Sequence, residues 1–91
     1  MYYLAYISHD YQCKNNLEKE ILKYLQGIER MFFPEKQLSF TKDHILNRIR
    51  ELNEAHPRCK PIKASFRDSD KKQDAILQIS GICHFTLLKT N

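Results

Sequence analysis

The chain predicts a small α+β domain in the order β-α-α-β-β, an antiparallel or mixed sheet with two helices packed on one face. Three observations carry this. Residues 2–8 form a continuous apolar and aromatic run. Two segments with apolar residues at helical spacing follow, and the last third alternates apolar with polar residues. A chain of 91 residues is one domain, 1–91, with a modest core, so that any small-molecule site should be shallow or shared across an oligomer interface.

Each element has its own signal. Residues 2–8 (YYLAYIS) read as a strand buried on both faces, ended by Ser8, His9 and Asp10. Asn15 then caps a helix, with Glu18 as its capping-box partner. Leu17, Ile21, Tyr24, Leu25, Ile28 and Phe32 trace one helical face, and Pro34 ends it. Thr41 is the expected cap of the second helix, with Asp43 in its first turn and Phe40 and Ile45 as a hydrophobic staple. Ile45, Ile49 and Leu52 make its buried stripe, and Pro57 ends it. Ile62, Ala64 and Phe66 alternate with Lys63, Ser65 and Arg67 in a half-buried strand. Residues 68–74 are a polar turn. Residues 76–88 then read as one long strand, bent or bulged at Gly81, with Leu77, Ile79, Cys83, Phe85 and Leu87 on one parity. The rival reading is a short helix over 71–80, with Asp70 and Gln73 as a capping box and Gly81 as its stop.

The charge is localised. Of a net +4, residues 1–41 contribute five basic and five acidic groups, and residues 68–91 three of each. Residues 42–67 hold seven basic groups against three acidic, so the whole excess sits there. Such a segment suits an anionic partner, or else is a solvated face. The apolar run at the start is too short to span a membrane and lacks signal-peptide flanks, so no membrane partner is expected. Cys13, Cys59 and Cys83 are an odd count, which suits reduced thiols in a cytoplasm.

Most chemical motifs fail on spacing. His9 with Cys13, His56 with Cys59, and Cys83 beside His84 are acceptable zinc ligands, but no tight Cys-x-x-Cys knuckle exists. Cys83 and His84, adjacent on a strand, would point to opposite faces. Cys59 has His56 nearby but no third group to orient a nucleophile. The acids at Asp68, Asp70 and Asp74 resemble a cation loop, yet Lys72 and Ile79 stand where oxygen ligands are needed. With Gly27 and Gly81 alone, no phosphate-binding loop can be built. No cofactor or metal is expected.

One constellation remains. If Ile62, Ala64 and Phe66 face the helices, Lys63, Ser65 and Arg67 face away, joined by Gln78 and His84 and by Tyr2 and Tyr6, or else Tyr3. Rings between cations suit single-stranded nucleic acid, since rings stack bases and cations hold phosphates. The competing account makes these tyrosines core or dimer contacts. The first functional expectation is therefore a non-catalytic binding or regulatory module for RNA or DNA. Its candidate residues are Arg48, Arg58, Lys60, Lys63, Arg67, Tyr6 and His84. The second is a protein-interaction subunit or homodimer, because both parities of the last strand are apolar. The third comes from a resemblance: the helix pair, the following strands and the basic charge are similar to RelE/ParE-type toxins. That resemblance implies a small ribonuclease, with Arg58, Lys60, Arg67 and His84 as phosphate stabilisers and general acid or base. No catalytic motif of those toxins is matched residue by residue.

Overall fold

A computed structural model of the chain describes residues 1–8, 12–69, 73–79 and 81–90. The fold is α+β. Its strands are β1 (Tyr2–Ile7), β2 (Phe32–Pro34), β3 (Ala64–Asp68), β4 (Ala75–Ile79) and β5 (Phe85–Thr90), and its helices are α1 (Asn16–Ile28) and α2 (Leu38–Ala55). The strands form one antiparallel sheet in the order β2-β1-β5-β4-β3.

Alternation decides which face is covered. Tyr3, Ala5 and Ile7 of β1 are buried with Leu77, Ile79, Phe85 and Leu87, and they pack against Leu17, Ile21 and Leu25 of α1 and Ile45 and Ile49 of α2. Both helices therefore lie on one face of the sheet. The Asn15 side chain accepts the Glu18 N–H at 2.9 Å, as a cap should. Glu18 does not close the capping box onto the Asn15 amide; its carboxylate takes the Lys14 N–H at 3.3 Å.

The predicted order needs correction in five places. First, β1 is buried on one face only, because Tyr2 and Tyr6 are exposed. Second, α1 ends at Ile28 rather than at Pro34. Arg30 turns the chain with φ 68°, its N–H reaches the Ala5 carbonyl at 2.7 Å, and the Ala5 N–H reaches the Met31 carbonyl at 3.0 Å. The open edge of β1 thus captures Phe32–Pro34 as a short strand the sequence reading missed, and Phe32 leaves the helical stripe. Proline is tolerated there because β2 is an edge strand. Third, α2 begins at Leu38, after a 3₁₀ turn over Glu35–Gln37. Thr41 is a buried residue inside the helix instead of its cap, and Phe40 staples nothing: it is 71% exposed and stacks on His44.

Fourth, the long strand over 76–88 is two strands, β4 and β5, joined by a connection through Gly81 at φ +78°. Leu77 faces Phe85 and Ala75 faces Leu87 in the register. The odd-numbered parity is therefore the core face on both sides of the turn, which is why alternation did not reveal the break. Fifth, the rival helix over 71–80 is excluded, since Ala75–Ile79 is strand. Asp70, Lys71 and Lys72 lie outside the described residues, as do His9 and Asp10 at the end of β1. Among the described residues no helix is long and apolar enough to cross a membrane.

Candidate nucleic-acid interface

The sheet face away from the helices is open, and the register sets its layout. Arg67 on β3 pairs with Ile76 on β4, Ile76 with Thr86 on β5, and Thr86 with Tyr6 on β1. Paired residues share a face, so a cation, an aliphatic side chain, a hydroxyl and an aromatic ring form one row across four strands. A second row runs Leu88, Leu4, Phe32. Tyr2, Tyr6 and Phe32 are 52%, 54% and 61% exposed, and Tyr2 meets Phe32 edge-on with ring centroids 6.4 Å apart. Among the described residues, no strand places an acidic residue on this face.

Tyr2 and Tyr6, rather than Tyr3, thus belong to the outer face. Tyr3 is 4% exposed and its hydroxyl donates to the Gln73 carbonyl at 3.4 Å. Phe32 is the ring that sequence reasoning missed. Its signal was present in the run Phe32–Phe33, but helical spacing from Ile28 absorbed it.

At the β3–β4 end, Lys63, Arg67 and His84 line one open concavity of about 420 Å³ together with Ile76 and Gln78. Gln78 accepts from the Ser65 hydroxyl at 3.4 Å across the strands. The segment that delivers Lys60 and Lys63 is held by Asn53 near the end of α2. The Asn53 amide donates to the Ile62 carbonyl at 2.8 Å, and its oxygen accepts the Ile62 N–H at 2.8 Å. A bidentate clamp on a backbone between Pro61 and Lys63 fixes an otherwise irregular segment.

The remaining candidates fall elsewhere. Arg58 lines a groove of about 520 Å³ between the start of α1 and the end of α2, with Lys14, Lys19 and His56. Lys60 lines a third, of about 450 Å³, with Asn15, Glu18 and Lys63. Arg48 is on the helical layer, paired with Glu51 at 3.3 Å, and is not brought to the sheet face. Lys42 is likewise paired, with Asp68 at 3.8 Å. The basic excess of residues 42–67 is thus split. Its helical members Lys42 and Arg48 meet carboxylates, whereas Arg50 on the same helix and Arg58, Lys60, Lys63 and Arg67 beyond it stand in no ion pair among the described residues.

The cysteine and toxin-like sets do not converge on one point. Burial, and secondarily the nearby Cys13, pushes the Cys83 thiol up to about 11, and burial also raises Cys13. Both shifts favour the neutral thiol over the thiolate, the form that acts as a nucleophile. Among the described residues no three His, Cys, Asp or Glu side chains come together as a metal-binding group. Of the four residues the toxin resemblance singles out, Arg67 and His84 share a concavity, while Arg58 and Lys60 line others. No family model, curated protein or solved structure matches the chain.

Proposed function

We propose that the protein is a non-catalytic module that binds single-stranded nucleic acid on its open sheet face. The carrying observation is the cross-strand row Arg67, Ile76, Thr86, Tyr6, on a face with three exposed rings and, among the described residues, no acid from any strand. Bases stack on Tyr6, Tyr2 and Phe32, each stack being worth ~1–3 kcal/mol in known single-strand binders. Lys63, Arg67 and His84 meet the phosphates. The test is fluorescence anisotropy with labelled oligothymidine and oligouridine. Binding at ~50 mM salt that weakens at ~200 mM supports the reading. Arg67→Gln with Lys63→Gln and, separately, Tyr6→Ala should each weaken it at least tenfold. Wild-type affinity in all these variants would sink it.

A second reading has its own support. The pair Tyr2–Phe32 with Leu4 and Leu88 is the less polar half of the same face, and a second copy closing over it would make a homodimer. Sedimentation from micromolar to near-millimolar concentration decides: a dimer disrupted by Phe32→Glu favours this reading, and a monomer throughout removes it.

A further inference from the structure

Three grooves, each lined by cations that stand in no ion pair among the described residues, adjoin one another. The groove at the start of α1 shares Asn15 with the groove under Lys60, and that one shares Lys63 with the concavity beside Arg67 and His84. Lys14, Lys19, Arg58, Lys60, Lys63 and Arg67 follow in sequence along this path, none in an ion pair with a described residue. Glu18 is the acid on its walls. Its carboxylate is turned to the Lys14 backbone N–H. From the sheet face the path therefore continues past the β3 edge to the junction of the two helices, and the Asn53 clamp holds its middle.

We infer that a single nucleic-acid strand follows this path, its bases leaving the stacking face while its phosphodiester backbone continues through the two further grooves to Lys14, Lys19 and Arg58. This inference rests on the sheet-face reading and extends its ligand from a few nucleotides to a longer strand. The grooves suit a phosphodiester chain because cations recur along a line, where a compact anion would need them gathered at one point.

Salt dependence separates the two ideas. A single strand loses affinity with a logarithmic slope of about 0.7 per phosphate neutralised. Lys63 and Arg67 alone give about −1.4, a roughly sevenfold loss between ~50 mM and ~200 mM salt. All six cations give about −4, a loss of roughly 300-fold over the same interval.

The experiment measures a trinucleotide and a dodecamer, each as DNA and as RNA, by anisotropy. The dodecamer is expected to bind more tightly, with the steeper slope. In Lys14→Gln, Lys19→Gln, Arg58→Gln the dodecamer slope should become shallower by about 2, while trinucleotide binding stays at wild type. Circular dichroism confirms that the variant is folded, and single Arg58→Gln provides a milder version. A wild-type slope and affinity for the dodecamer in the triple variant overturns the path. The sheet-face reading then stands or falls separately, on whether Arg67→Gln with Lys63→Gln and Tyr6→Ala weaken the trinucleotide. A preference between the DNA and RNA dodecamers identifies which strand the path accepts.

Discussion

Cys83 shows how burial converts a side chain's chemistry into a stability term. Its thiol is raised from an ordinary 9.0 to about 11, so the folded protein holds a proton that the unfolded chain releases earlier. The folded state binds more protons between those values, and stability falls as pH rises through them. Two units correspond to about 2–3 kcal/mol, fully present below pH ~9 and lost toward pH ~11. Tyr24 acts in the same direction at higher pH, since burial first, and then Glu51, raises it against the opposing Arg48. Urea unfolding at about pH 8 and about pH 10.5 should therefore show wild type losing more stability than Cys83→Ala across that interval. An equal loss in both would refute the assignment. That Cys83 is a core residue follows from its parity with Leu77 and Phe85 in the sequence. That Cys13 sits near enough to affect it does not, because the two are far apart along the chain.

At the level of elements, local signals worked where the segment determines its own structure. Asn15 caps α1, Leu17, Ile21 and Leu25 are its buried stripe, and Ile45, Ile49 and Leu52 are that of α2. They failed where a neighbour intervened. Phe32 continues the spacing of Ile21, Leu25 and Ile28, yet hydrogen bonds to the free edge of β1 outweigh one further helical turn. Thr41 is a good cap by type, but the 3₁₀ turn over Glu35–Gln37 starts the helix earlier. Gly81 is the informative glycine of the β4–β5 hairpin. Nothing lies within 4 Å of an added Cβ there, so the cost of a side chain is the backbone conformation alone. Gly81→Ala should lower stability by about 1–2 kcal/mol in chemical denaturation, with no change in the shape of the transition. A neutral substitution would mean that the turn is not held at φ +78°.

For the molecule as a whole, the decisive asymmetry is between the two faces of one sheet. Phe85 and Tyr6 lie on neighbouring strands, but Phe85 is 0% exposed beneath the helices and Tyr6 is 54% exposed on the open side. Phe85→Ala should cost about 3–5 kcal/mol, enough to unfold much of a small domain's population. Tyr6→Ala should cost well under half of that while weakening oligonucleotide binding. Thermal and urea unfolding measure the first difference and anisotropy the second. Comparable destabilisation by the two changes would mean that the outer face is covered in the folded protein.

The α+β class, the two buried helical stripes, the core parity of β3, β4 and β5 and the location of the basic excess were all readable from residue order. Each depends on periodicity or composition within a short stretch, and such patterns survive without knowledge of neighbours. The short strand β2, the break of the last strand into β4 and β5, the outward placement of Tyr2 and Tyr6, the division of the basic excess into paired and unpaired cations, and the three adjoining grooves came from the fold. These depend on which strand lies beside which, and on where a carboxylate such as Asp68 comes to rest. Antiparallel pairing joins residues as distant as Tyr2 and Thr90, and no local pattern encodes that choice.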